Sequence, residues 1–256
     1  MSEVLHLSSR DNPLLVRVRK LAHDGAAYRR LGQVWIEGEH LCSALLQRGG
    51  TVSQAVVSEA AWADPGLRAL AASALKVAVL PQALFSTISA LESPAGLGYV
   101  IDTPAAPELD PLAPSVVLDR LQDAGNVGSI LRSAAAFGFK QVLALKGTAA
   151  LWSPKVLRAG MGAHFGLTLI EGLDDKALDQ LQLPLVATSS HGGAGLAQVR
   201  LPRPCAWVMG HEGQGVSAAV MQRCVLKLRI PQPGGEESLN VAAAAAVCLY
   251  ESMRQT

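Results

Sequence analysis

From about residue 115 onward the chain repeats one pattern, a short run of bulky apolar residues followed by a stretch with helical periodicity. The apolar runs are "SVVLDRL", "QVLAL", "GLTLI", "PLVATSS", "CAWVMG" and "VLKLRI", with a final helical stretch after the last. Strand and helix alternating in this way predict an α/β fold whose mostly parallel sheet is covered on both faces. Such sheets bind ligands in the loops beyond the carboxyl ends of their strands, so function is sought there.

The preceding residues form a different unit. Residues 10 to 31 read as one basic helix opened by "SSRDNP", where Ser or Asp can cap and Pro13 suits the first turn. "QVWIEGEHLCSALLQRGG" runs from a strand into a helix ended by Gly49 and Gly50, and "VSQAVVS", "PGLRALAASAL" and "KVAVLP" continue as strand, helix and strand. "GYVIDTPAAPELDPLAP" then carries Pro104, Pro107, Pro111 and Pro114, a composition suited to a stiff linker. The expectation is a small α/β domain over 1–106, a linker over 107–114 and the alternating domain over 115–256. A chain of 256 residues is long enough for two such cores.

Composition narrows the class. Half the residues are hydrophobic and 17% are charged, which excludes a disordered chain. The longest apolar stretch, "LNVAAAAAVCLY", falls short of the roughly 18 residues of a membrane span. The start, "MSEVLHLSSRDNP", lacks the basic end and apolar segment of a secretory signal, so a cytoplasmic protein is expected. Cys42, Cys205, Cys224 and Cys248 are scattered with no C-x-x-C pair, which argues against a metal site or disulfide framework. A net charge of +1 gives no global attraction to nucleic acid. Locally, however, Arg10, Arg17, Arg19, Lys20, Arg29 and Arg30 face only Asp11 and Asp24, a candidate RNA-binding patch or, more blandly, a solvated helix face.

Three strand ends carry candidate chemistry. "LDRLQDAGNVGSILRSAAAFGF" leads from a strand to a helix, with Asn126 a good cap, Gly128 allowing close approach, and Arg132 able to reach back over the loop. "WVMGHEGQGVS" places Gly210, Gly213 and Gly215 around Glu212; it is similar to a phosphate-binding turn, yet a carboxylate there repels phosphate and favours a hydroxyl, amine or cation. "IPQPGGEESLNVAAAAAVCLYE" runs from Ile230 through a Pro/Gly turn to Ser238, a natural N-cap, then Leu239 and Asn240, with Asn240 placed in the first turn where propensity disfavours it. Alone, each has an ordinary structural explanation.

Their order and spacing together are specific. "NVGSILR", "MGHEGQG" and "IPQPGGEESLNVA", each after a strand, closely resemble the three motifs of the SpoU/TrmH family of RNA ribose 2′-O-methyltransferases, in the SPOUT superfamily. The likeness covers roughly residues 115 to 254, and "PKVLRAGMGAHF" between the motifs is also similar. The first 100 residues, with "IEGEHLCSALLQRG" and "SPAGLGYVI", more diffusely resemble a substrate-binding domain related to ribosomal RNA-binding proteins.

The resemblance implies S-adenosylmethionine bound in a deep trefoil knot, a feature periodicity could not suggest because knots are so rare. It implies cofactor contacts at Gly210, Ile230 and Leu239, with Thr188 a further contact, and a homodimer with both subunits contributing to a site. It assigns Arg132 to activating the hydroxyl, Asn126 to positioning, and Glu212, Ser238 and Asn240 to arranging the site. Because a guanidinium stays charged, Arg132 is better read as an electrostatic stabiliser of the forming alkoxide. Ala124 and Ala242 depart from the family's frequent proline and serine and weaken any subgroup assignment. Ribosomal RNA is favoured over transfer RNA as substrate. A binding-only RNA protein is the alternative, which intact Arg132, Glu212 and Asn240 argue against; a nucleotide-dependent oxidoreductase would need a G-x-G-x-x-G turn after the first strand and an acidic partner about twenty residues on, which this chain lacks.

Overall fold

The computed structural model describes residues 3–105, 107–189, 192–234 and 238–255. The chain divides into two compact units, Met1–Ala105 with Trp152–Phe165, and Ala106–Leu151 with Gly166–Thr256.

The first unit is built on a five-stranded sheet of β1 (Glu3–His6), β2 (Gln33–Glu37), β3 (Gln54–Ser58), β4 (Lys76–Leu80) and β5 (Leu97–Asp102), in the order β1-β4-β3-β5-β2. β1, β4 and β3 pair in parallel, and β5 runs antiparallel to both β3 and β2. The expected single basic helix is two. Asn12 caps α1 (Pro13–His23) by accepting from the Leu14 N–H, with Pro13 in the first turn. Asp24 ends it, because its carboxylate accepts from the Ala26 N–H at 2.9 Å, a local bond that competes with the helix. The chain restarts as α2 (Ala27–Leu31) and continues through α3 (Glu39–Gln47), α4 (Glu59–Ala63), α5 (Pro65–Ala71) and α6 (Gln82–Ile88). Ser58 and Asp64 cap α4 and α5, each side chain accepting from an N–H three residues on. Tyr99 is fully buried in the core and satisfies its hydroxyl by donating to the Leu70 carbonyl at 2.6 Å.

In the second unit the apolar runs become β6 (Ser115–Asp119), followed by α7 (Ala124–Ala136), and β7 (Gln141–Leu145). The next helix, α8 (Pro154–Gly160), counts with the first unit. Then come β8 (Thr168–Leu173), β9 (Leu185–Thr188), the two-residue β10 (Ala194–Gly195), β11 (Ala206–Gly210), α9 (Ala218–Arg223), β12 (Cys224–Arg229) and α10 (Val241–Arg254). The helical stretch expected between β8 and β9 is only a tight single segment at Asp175–Gln180. The sheet order is β10-β12-β9-β11-β6-β7-β8, and every pairing among the described residues is parallel. Val116, Val117 and Leu118 are inaccessible, as expected of strands covered on both faces.

Two features of this sheet place the site. The chain builds β6, β7 and β8 to one side, then crosses to β9, and β11 later fills the gap between β6 and β9. Such a reversal of strand order leaves a crevice at the carboxyl ends, where Gly210 of β11 lies in register with Asp119 of β6. The second feature is α10, which packs on α7 and β11 through small side chains such as the fully buried Ala245. Its far end is pinned: the buried Trp207 indole donates to Ser252 Oγ at 2.7 Å, and Gln255 bonds the Val199 carbonyl and the Leu201 N–H.

Candidate active site

Two helix starts and one glycine loop meet at these strand ends. Asn126 does not cap α7. Asp123 does, its Oδ1 accepting from the Asn126 N–H at 2.7 Å, so Asn126 occupies the third helical position with its amide turned outward. Ser238 likewise does not cap α10. That role falls to Asn240, whose Oδ1 accepts from the N–H groups of Ala242 (2.9 Å) and Ala243 (3.3 Å). Both expectations name a residue type that caps well but sits at the wrong offset.

The two asparagines and Glu212 form a directional line. Glu212 Oε1 accepts from Asn126 Nδ2 at 3.2 Å, and Asn126 Oδ1 accepts from Asn240 Nδ2 at 2.9 Å. A carboxylate only accepts, so Asn126 must present its NH2 to Glu212 and its carbonyl to Asn240. Glu212 also takes the N–H groups of Asp123 (3.1 Å) and Gln122 (3.3 Å). Burial alone would raise its pKa, but hydrogen bonds from its own backbone, Asn126, Asp123 and Gln122 outweigh that and hold the carboxyl below the ordinary glutamate range. Glu212 is therefore an anion at neutral pH held by these N–H donors, suited to holding the loop and Asn126 in place.

Beside this line opens a cavity of about 570 Å³. Thr188, Gly210, Glu212, Ile230, Ser238, Leu239 and Asn240 all line it, drawing together the ends of β9, β11 and β12 and the start of α10. Gly210 is required there, since a Cβ would lie 2.2 Å from the backbone of Gly215 and Val216 where the loop folds back. Arg132 is not among the lining residues; it stands exposed on α7.

The glycine loop is not built to hold phosphate. His211 Nδ1 accepts from the N–H groups of Gly213 (3.0 Å) and Gln214 (3.3 Å), so two amides that a phosphate would need are occupied. The sequence reading did not single out His211, nor Asp119, Arg120 and Gln232. Asp119 is 1% exposed and accepts from the Ser217 N–H at 2.6 Å. A carboxylate closing an apolar run was the available signal. Gln232 lines the cavity with a buried Oε1 that has no partner among the described residues.

The basic patch is only partly free to meet a partner. Arg19 donates to the carbonyl and hydroxyl of Thr87, Arg30 pairs with Asp24, and the Arg29 guanidinium lies over the Tyr28 ring at 5.5 Å. Arg10, Arg17, Lys20, Arg29 and Arg30 are exposed, and Arg19 is half-buried. The cysteines are unpaired, and burial pushes the thiols of Cys205 and Cys248 up to about 11 and about 12. Among the described residues no group of three or more His, Cys, Asp or Glu converges as a metal site would require.

The stretch that carries the three loops matches the sequence model of the SpoU rRNA Methylase family, over residues 113–250. The chain belongs to this family. Among SpoU relatives, the 23S rRNA (guanosine(2553)-2′-O)-methyltransferase RlmP of Bacillus subtilis is 30% identical over 84% of this chain and 86% of its own length. A crystal structure of an RNA 2′-O ribose methyltransferase superposes with a TM-score of 0.81 at 32% identity, covering 98% of this chain and 99% of that one. The SpoU methyltransferase AviRb from Streptomyces viridochromogenes, crystallised in complex with the cofactor AdoMet, shares the fold at a TM-score of 0.86 and 24% identity, over 95% of this chain and 98% of that one.

Proposed function

We propose that this chain transfers a methyl group from S-adenosylmethionine to the 2′-hydroxyl of a ribose in structured RNA, ribosomal RNA ahead of transfer RNA. The observation that carries the reading is the Glu212, Asn126 and Asn240 line set beside a cavity walled by Gly210, Ile230 and Leu239.

The residues present fit the cofactor. The cavity lies within the roughly 300–1,000 Å³ of small-molecule sites, and it combines apolar walls with an acceptor, Gln232 Oε1, that has no partner among the described residues. Gly210, Ile230, Leu239 and Thr188 are the residues to hold it. When bound, the cofactor supplies an electrophilic methyl on a sulfonium. The chain must then align a weak nucleophile with that methyl and assist loss of its proton, and alignment alone can contribute several kcal/mol. Glu212 fixes Asn126, Asn126 in turn fixes the amide of Asn240, and Asn240 and Ser238 line the cavity. Arg132 serves as a permanent cation that stabilises the forming alkoxide.

Because Arg132 is exposed and does not line its own chain's cavity, we place it in a site shared between two copies. An exposed apolar stripe on α10, formed by Val247, Tyr250 and Met253, supports a homodimer through the second unit. The insertion of β11 between β6 and β9, and the packing of α10 back onto α7, support the reading that the C-terminal segment forms a deep trefoil knot. The first unit is assigned to RNA, with Arg10, Arg17, Lys20, Arg29 and Arg30 as its exposed cations and the half-buried Arg19 shaping the same patch. No helix among the described residues is long and apolar enough to cross a membrane, and a cytoplasmic site of action fits an RNA substrate.

Mapping 2′-O-methylation in ribosomal and transfer RNA from cells with and without the protein tests the proposal. The expected result is one ribosomal methyl lost. A methyl lost only from transfer RNA redirects the substrate, and full methylation in both pools overturns the reading. Calorimetry with S-adenosylhomocysteine separates an enzyme from a binding-only protein, which would show no affinity.

A further inference from the structure

We propose that Arg120 is a positioning residue for the cofactor cavity, latching the glycine loop to the end of β6. The first observation is backbone strain. Arg120 has φ +63°, a left-handed conformation that side chains with a Cβ disfavour and glycine adopts freely. An arginine kept at such a position beside a functional site points to work done by its side chain.

The side chain shows what that work is. Arg120 Nε donates to Asp119 Oδ1 at 3.0 Å, and its Nη1 donates to Gln214 Oε1 at 3.1 Å. Asp119 gives its other oxygen to the Ser217 N–H. Two consecutive residues thus hold the loop at two points, Arg120 through Gln214 at its tip and Asp119 through Ser217 at its exit. The buried Asp119 carboxylate also needs a counter-charge, which Arg120 supplies. The backbone turn is secured from behind, where the Arg120 N–H donates to Thr148 Oγ1 and that hydroxyl donates to the Leu118 carbonyl.

The loop so held contains Glu212 and packs against Gly210, both of which wall the cavity. Releasing Gln214 frees the loop tip while leaving the sheet and both helix caps intact. The latch therefore acts on how well the cavity is formed, and it rests on the proposed reading that this cavity holds the methyl donor.

Two variants of the full chain separate the latch from folding. Gln214→Ala removes the acceptor at the exposed tip and leaves the Asp119–Arg120 pair. Arg120→Lys keeps a charge beside Asp119 but lacks the fork that spans both acceptors. Each is expected to leave the thermal midpoint unchanged, to speed amide hydrogen exchange across 211–217 in the free protein, and to weaken S-adenosylhomocysteine binding about tenfold by calorimetry. The double variant should bind no more weakly than the poorer single one, since both cut the same contact. Unchanged exchange in 211–217 for both singles overturns the latch, as do additive losses in the double variant or a loss confined to RNA affinity. If the unaltered protein fails to bind S-adenosylhomocysteine, the reading of the cavity fails, and the exchange measurement still decides the latch.

Discussion

Replacing Asn240 by Asp separates the two tasks of that side chain. As the cap of α10, Asp serves about as well as Asn, and its charge at a helix N-terminus adds about 0.3–1 kcal/mol of favourable interaction. Global stability should therefore hold or rise slightly. As the partner of Asn126, Asp fails, because a carboxylate oxygen replaces Nδ2 and faces the Asn126 carbonyl across a contact that measures 2.9 Å in the unaltered protein. Asn126 cannot adapt by turning over, since Glu212 holds its NH2. A lost net hydrogen bond costs about 0.5–1.5 kcal/mol, and an acceptor left facing an acceptor raises the cost toward 3. Asn240 is exposed, so we take the lower part of that range. About 1–2 kcal/mol at the reacting geometry corresponds to a roughly 5- to 30-fold fall in kcat/KM. The assay is methyl transfer from labelled S-adenosylmethionine to an RNA transcript, run beside thermal melts of N240D and of N240A, which loses the cap as well. Wild-type kcat/KM in N240D would refute the reasoning, as would a loss of activity that merely tracks a fall in Tm.

Arg132→Ala should abolish turnover while S-adenosylmethionine affinity stays intact by calorimetry; normal turnover removes Arg132 from the chemistry. Ser252→Ala leaves the buried Trp207 N–H without its acceptor, which costs about 1–3 kcal/mol, and melts should show a Tm lower by roughly 2–4 °C for each kcal/mol. An unchanged Tm would mean that the indole finds another acceptor. Glu251 is held down to about 2, chiefly by its hydrogen bonds from Arg254 and then Gln255. A depressed carboxyl contributes stability in full above its unfolded value near pH ~4.3 and loses it as pH falls toward 2. Glu251→Gln should accordingly flatten the dependence of Tm on pH between those limits, and an identical acid limb in both proteins counts against the pairing.

What could be read from the sequence was local. The strands of the second unit are legible because strands buried on both faces need continuous apolar runs, and the three loops are legible because Gly, Pro, Asn and Asp cluster where they end. The caps were misplaced for a related reason. Asp123 and Asn126, like Ser238 and Asn240, are all good cap residues, and only backbone angles decide which one turns the chain. The break at Asp24 depended on a single side chain choosing the Ala26 N–H over solvent. Neither the left-handed turn at Arg120 nor the place of β11 has a local signature, since one is forced by contacts with Asp119, Thr148 and Gln214 and the other by pairing with strands far off in sequence.

The position of β11 also bears on how the molecule comes into being. β6 and β9 are joined only through a strand that begins at Ala206, about four-fifths of the way along the chain. A nascent polypeptide that stops short of it has β6, β7 and β8 as a half-sheet with an unsatisfied inner edge, and β9 without either of its neighbours because β12 also lies further on; such edges invite association with other chains. Closure must wait for long-range pairing, which is intrinsically slow. Since Gly210 ends that same strand and Ile230, Leu239 and Asn240 lie beyond it, the cavity gains its walls only after that strand is in place.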